Sequence, residues 1–205
     1  MKDPLPPFEI ELLPAATTSD GELVSEITDL VNRVYATAEE GLWVETATRT
    51  TTREIAELIA AGQIAVARMN SRIVGAVRIQ QLDTDTGEFG MLVADPAHRG
   101  DGIGRKLVSF AEELSRQRGL AAMQLELLVP RGWTHPTKEF LRAWYTRIGY
   151  RPVRSSTIDE SYPQLAPLLA TPCDFVIYRK DLVSPGSIDR RNPFSPPKTG
   201  PVVTW

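Results

Sequence analysis

Leu92-Val93-Ala94-Asp95-Pro96-Ala97-His98-Arg99-Gly100-Asp101-Gly102-Ile103-Gly104-Arg105-Lys106-Leu107 is the stretch whose reading decides the fold. Apolar residues run up to Ala94. Asp95-Pro96 ends that strand, because proline offers no ladder donor. Ile103, Leu107, Phe110, Ala111 and Leu114 then recur at helical spacing. A strand therefore passes to a helix through a glycine-rich loop. Glycines let backbone N–H groups converge on one point. The helix adds its positive N-terminal end, and Arg99 and Arg105 add side-chain charge. Together these make an anion cradle suited to a pyrophosphate.

Two nucleotide fingerprints share such glycines, and neither fits. The Walker loop needs Gly-Lys-Ser/Thr after four intervening residues, and that run is absent. The dinucleotide pattern G-x-G-x-x-G fails from either start, since Arg105 or Leu107 stands at its last glycine. What is present is Arg99-x-x-Gly102-x-Gly104.

Working outward, Phe8 to Leu13 alternates apolar and acidic residues and reads as a half-buried strand. Ser19 or Asp20 caps a helix carrying Leu23, Ile27, Leu30, Val31 and Val34, and a second helix spans Thr52 to Ala61. Ile64–Met69 and Ile73–Leu82 flank an Asn70-Ser71 turn and form a hairpin, with Gly87–Ala94 as its third strand. After the glycine loop come a helix to Arg118, a strand Ala122–Val129, and a helix Thr137–Ile148 closed by Gly149. The expected remainder is a strand Tyr150–Ser155, a short helix Asp159–Leu169 crossed by Pro163 and Pro167, and a strand Phe175–Lys180. This order predicts an α/β (α+β) chain with a mixed, mostly antiparallel central sheet of about seven strands flanked by helices. Residues 1–183 read as one domain and residues 184–205 as a proline-rich tail without its own core.

The quoted stretch, with this element order, resembles the acyl-CoA-binding motif of the GNAT superfamily of N-acetyltransferases, over about residues 8–181. The resemblance implies acetyl-CoA, or another acyl-CoA, as cosubstrate and no metal. It assigns Arg99, Gly100, Asp101, Gly102, Ile103, Gly104 and Arg105 to the pyrophosphate. It assigns Leu92, Val93 and Ala94 to the pantetheine, which pairs with them like an added strand. Phe140-Leu141-Arg142-Ala143-Trp144-Tyr145-Thr146-Arg147-Ile148-Gly149-Tyr150 is similar to a second family segment. There Tyr145 falls on the tyrosine that protonates the departing thiolate. Its ordinary pKa of about 10 suits a general acid at neutral pH. Seven residues earlier, where many relatives carry asparagine, stands Lys138, which either reaches a phosphate or faces solvent.

An attacking amine must be neutral, and a carboxylate can take its proton. Glu88 opens the strand leading to the glycine loop and resembles a family glutamate acting as base or acceptor ligand. Glu126, set among Leu125, Leu127 and Leu128, is the alternative. For the acceptor pocket the candidates are Glu40, Trp43, Arg49 and Trp133, from two loops that each pair a tryptophan with charges. Glu39 and Glu40 suit a cationic acceptor, whereas Arg49 and Arg131 suit an acidic one. The expected activity is acetyl transfer to a primary amine of a small molecule or peptide. A non-catalytic acyl-CoA-binding regulator is the alternative.

Bulk properties narrow the partners. A net charge of −3 over 205 residues provides no basic field for nucleic acid. No apolar run approaches the roughly 20 residues of a membrane helix, and Met1–Pro7 has no leader-like apolar core. The single cysteine, Cys173, precedes an apolar strand and reads as a buried structural thiol in a cytoplasmic protein. His98 and His135 are too isolated for a metal site. A homodimer is compatible with the sequence. The P-x-x-P runs at Pro4–Pro7 and Pro193–Pro196 suit a proline-rich ligand.

Overall fold

A computed structural model describes residues 8–44, 47–163 and 165–182. The two P-x-x-P runs and the tail lie outside the described residues. Seven strands form one sheet: β1 (Glu9–Leu12), β2 (Ile64–Met69), β3 (Arg72–Gln81), β4 (Thr86–Ala94), β5 (Ala122–Pro130), β6 (Arg151–Thr157) and β7 (Cys173–Asp181). Their order is β1-β2-β3-β4-β5-β7-β6. Among the described strands only β4 and β5 pair in parallel; the other neighbours are antiparallel. The expected fold class is the observed one.

Local chemistry explains the elements. Asn70 and Ser71 both take positive φ at the β2–β3 turn, the backbone that a tight two-residue hairpin requires. Helix α1 (Gly21–Ala38) is capped by the Asp20 side chain, and α2 (Thr52–Ala60) by Thr51. Their apolar stripes pack Ile27, Val31, Ile55 and Ile59 on Ile64, Val66 and Ala76 of one sheet face. Helix α3 (Ile103–Gln117) and α4 (Pro136–Arg147) cover the other face, with Leu107, Ala111 and Tyr145 against Val77, Phe89 and Met123. Gly75 sets how closely α3 approaches: a Cβ there would lie 2.7 Å from the Ile103 side chain.

The expected helix over Asp159–Leu169 is shorter. It resolves into α5 (Ile158–Ser161) and a 3-10 turn at Ala166–Leu168, as Pro163 and Pro167 remove the donors a continuous helix needs. This arm crosses back to the loop after α1. Val44 donates to Leu168 O, Ala170 donates to Leu42 O, and Trp43 bridges Leu169. Leu42, Leu128, Ile158, Cys173 and Phe175 form a small core beneath it. Cys173 is buried, and burial pushes its thiol up to about 11, so it holds its proton and packs as an apolar group.

Candidate active site

The site begins where the sheet comes apart. β4 and β5 pair only at Thr86–Ala122, Gly87–Met123 and Glu88–Gln124, although β4 runs on to Ala94 and β5 to Pro130. A bulge drives the separation. Ala76 pairs Val93 while Arg78 pairs Gly90, so Met91 and Leu92 together oppose Val77. Met91 takes a φ of 48°, an unusual conformation for a side chain of its size, and a bulged strand bends. Beyond Glu88, β4 keeps β3 on one side and has an open edge on the other. Asp95 N donates to Val74 O of β3, so alternation along the strand turns the Leu92 and Ala94 amides into the gap. These are the residues expected to accept an added strand.

The glycine loop lies at the end of that edge. A 3-10 turn at Pro96–His98 is capped by the Asp95 side chain. Gly100 and Gly102 have φ of 94° and 80°, backbone that glycine adopts without strain. A Cβ at either would meet nothing within 4 Å. No side chain caps the N-terminus of α3, which leaves its first amides for an anion. Asp101 is turned inward, its carboxylate 3.3 Å from His98 Nδ1, whereas Arg99 and Arg105 are exposed. The cradle is therefore positive on its outer side. Trp144 of α4 lies nearest to Gly104, 3.9 Å from the Cβ position.

Tyr145 follows Trp144, with 5.0 Å between their ring centroids. It packs 6.0 Å from Phe89, next to Glu88 on β4. Its residue is 6% exposed. Burial, with a smaller push from Tyr35, raises the phenol above its ordinary pKa. It remains protonated over the whole neutral range. Tyr35 belongs to α1 on the opposite sheet face.

On the α1–α2 face a polar row crosses the strands. Arg78 donates to Gln63 (2.9 Å) and Gln80 (2.6 Å). Gln80 and Gln124 donate to the two oxygens of Glu88, at 2.6 and 2.9 Å. Next along β5, Glu126 accepts from the Tyr162 hydroxyl. Desolvation pushes the Glu126 carboxyl up to about 7, assisted by the charge of Glu88 and opposed by Tyr162 and Arg154. Glu88 and Glu126 thus share one face beside the gap, with Tyr145 on the other. Gln80, Gln124 and Tyr162 were not singled out from sequence. The alternation Gln124-Leu125-Glu126-Leu127 carries the signal for Gln124; Tyr162 arrives by the path of the α5 arm, which no local pattern encodes.

The acceptor candidates divide. Glu40 is exposed. Trp43 donates from Nε1 to Glu39 at 2.6 Å, and Arg49 stacks 4.9 Å over the Tyr35 ring. Trp133, 43% exposed, lies 5.2 Å from His135 and 3.7 Å from the Cβ position of Gly41. The two tryptophan loops therefore meet. Three sequence expectations are corrected. Lys138 neither faces solvent nor reaches the glycine loop: it is buried and paired with Glu39. That pair holds the Glu39 carboxyl below its usual value against the opposing effect of burial, so Glu39 is committed to Lys138 and Trp43 and does not serve an acceptor amine. Arg131 is likewise taken by Asp174 at 2.7 Å. Lys138→Met should cost about 3–5 kcal/mol by leaving a buried carboxylate without its cation. Adding Glu39→Gln should recover much of that loss, a comparison that thermal or urea unfolding of the two variants checks.

No group of His, Cys, Asp and Glu among the described residues could hold a metal ion. None of the described helices is long and apolar enough to cross a membrane.

Comparison with known proteins converges on one family. Residues 60–152 match the acetyltransferase (GNAT) domain family. No curated protein matches the chain. Among solved structures, an aminoglycoside 6'-N-acetyltransferase complexed with coenzyme A superposes with a TM-score of 0.65 at 16% identity, over 86% of this chain and 98% of that one. The PaiA N-acetyltransferase of Thermoplasma acidophilum, in complex with coenzyme A, gives 0.62 at 14% identity over 85% and 99%. Ard1 of Thermoplasma volcanium gives 0.59 at 14% identity over 86% and 99%.

Proposed function

This chain belongs to the GNAT acetyltransferase family, and from that premise we propose that it moves an acetyl group from acetyl-CoA to a primary amine of a small molecule or peptide, by direct attack in a ternary complex. The observation that carries the reading is the opening of β4 from β5 after Glu88–Gln124, with the glycine loop at its end. It offers an unpaired strand edge for the pantetheine and an open, uncapped helix end for the pyrophosphate.

The protein's own groups supply the proton transfers. Glu88, fixed by Gln80 and Gln124, binds the acceptor ammonium. Glu126, titrating near neutrality, takes its proton. The neutral nitrogen attacks the thioester carbonyl and the N–C bond forms; as the C–S bond breaks, Tyr145 gives its proton to the departing thiolate, and the proton that the new amide nitrogen sheds restores the phenol. The base lies on one face of the sheet and the acid on the other, so the acetyl group is transferred within the gap between them.

Tyr145→Phe keeps the ring and removes the proton. It should lower kcat by about 10²-fold while the affinity for CoA stays within twofold, because the hydroxyl acts only as the bond breaks. Thiol-release kinetics beside CoA titration check this. A screen with acetyl-CoA against amines, amino acids, aminoglycosides and peptides tests the reading as a whole. CoA binding without thiol release for any of them would favour the regulatory acyl-CoA-binding protein instead.

A further inference from the structure

We propose that the acceptor is an ω-aminocarboxylate, its ammonium held by Glu126 and Glu88 and its carboxylate by Arg154. This rests on the acetyl-transfer reading and names the substrate class of the same site.

The sheet register brings these groups together. Glu126 of β5 and Arg154 of β6 both pair with Ile177 of β7. Residues directly opposite in antiparallel ladders share a face, so the carboxylate and the guanidinium stand in one row on the acceptor side. Two inter-strand spacings put their Cα atoms about 10 Å apart. Between them lies an open pocket of about 470 Å³, lined by Glu126, Arg154, Ser155, Ser156, Glu160 and Tyr162.

The chemistry of that lining selects the ligand. Arg154 is the lining cation; among the described residues it forms no ion pair or hydrogen bond, and it acts on Glu126 only through its charge. Other arginines nearby are engaged: Arg131 by Asp174, Arg142 by Glu139, and Arg151 by the carbonyls of Thr146 and Tyr150. Glu160 bends back onto its own helix end, accepting from Thr157 N at 3.2 Å. Glu126 is oriented by Tyr162. The pocket thus offers a proton-accepting carboxylate at its inner end and an uncommitted planar guanidinium at its outer end. A carboxylate can meet that guanidinium with two parallel hydrogen bonds. A plain alkylamine would instead end in a methyl group against the Arg154 guanidinium and leave that charge without a counter-ion, and a diamine would bring like charge to it. Once both side chains reach inward, the remaining span suits an amine and an acid separated by about three to five methylenes. Glycine is too short to touch both ends.

The test compares five acceptors in thiol release with acetyl-CoA: glycine, 4-aminobutanoate, 6-aminohexanoate, butylamine and 1,4-diaminobutane. The expected result is a kcat/KM for 4-aminobutanoate or 6-aminohexanoate at least tenfold above butylamine and glycine. Arg154→Ala should shrink that ratio at least tenfold, through KM. Arg154→Glu should invert it in favour of the diamine, with CoA affinity measured alongside to report an intact fold. Turnover of butylamine with no advantage for the amino acids would overturn the proposal and leave acetyl transfer standing. Absence of thiol release from all five would overturn acetyl transfer to such amines. Calorimetric titration of 4-aminobutanoate into the CoA-loaded protein then decides the acid site separately: binding lost in Arg154→Ala supports it, and no binding, or binding indifferent to that change, overturns it.

Discussion

Gly104→Asp is expected to weaken acetyl-CoA binding by at least about 100-fold and leave the fold intact. Both halves follow from the same position. Gly104 lies in the first turn of α3 with an ordinary helical backbone, and a Cβ there meets only the edge of Trp144 at 3.9 Å. A carboxylate in a first helical turn is also favoured by the helix dipole. Stability should therefore be unchanged or slightly higher. For a pyrophosphate seated on the same amides the added charge is repulsive. At about 5 Å and an effective dielectric near 20, each phosphate charge is opposed by about 3 kcal/mol, roughly two orders of magnitude in affinity. Gly102→Asp would be a poorer test, because its φ of 80° strains any side chain and confuses misfolding with lost binding. Gly104→Ala supplies the control for bulk alone. Calorimetric titration with CoA and a thermal melt of each variant read the two effects separately. CoA affinity unchanged in Gly104→Asp would remove the loop from the donor site.

Much of this molecule was legible before any coordinates, and for identifiable reasons. The strands from Ile64 to Ala94 are marked by apolar runs and turn residues. The helices around Leu107 and Ile27 are marked by their 3.6-residue stripes, and the loop between by glycines whose positive φ values are now observed. These are local signals. What escaped is relational. The gap between β4 and β5 depends on a bulge at Met91–Leu92 and on a parallel pairing only three residues long, and neither changes the alternation read along either strand. Lys138 lies on a helix with a weak apolar stripe and looks like a surface residue, yet it meets Glu39, 99 positions away. Glu39 and Arg131 could be offered as acceptor ligands only until Lys138 and Asp174 were seen to occupy them. The base shows the same limit: Glu88 and Glu126 are both plausible by spacing, and what tells them apart is their partners, two glutamine amides at Glu88 and the Tyr162 hydroxyl at Glu126.

Glu126→Gln should therefore have the second large effect, and it should be seen in three measurements at once. The amide cannot accept the ammonium proton, so kcat/KM should fall by about 10²–10³-fold. The wild-type rate should rise with pH through about 7, as the Glu126 carboxyl ionises, and the variant should lose that limb. The third measurement is stability. Burial lifts this carboxyl from its ordinary 4.5 to about 7. Below about 4.5 both folded and unfolded chains carry the proton. Between 4.5 and 7 the unfolded chain releases it while the folded chain keeps it, so the folded state loses stability until about pH 7 and no more above it. A glutamine keeps its carbonyl toward the Tyr162 hydroxyl and has no charge to desolvate. The variant should accordingly melt higher than wild type at pH 8, with the difference closing toward pH 4.5. An enzyme that is more stable and less active after one isosteric change is the signature of a group held in an unfavourable environment because the proton transfer needs it there. If instead Glu126→Gln keeps the wild-type pH profile while Glu88→Gln loses it, the proton passes to Glu88, and the raised pKa of Glu126 is only a consequence of where β5 and Tyr162 have buried it.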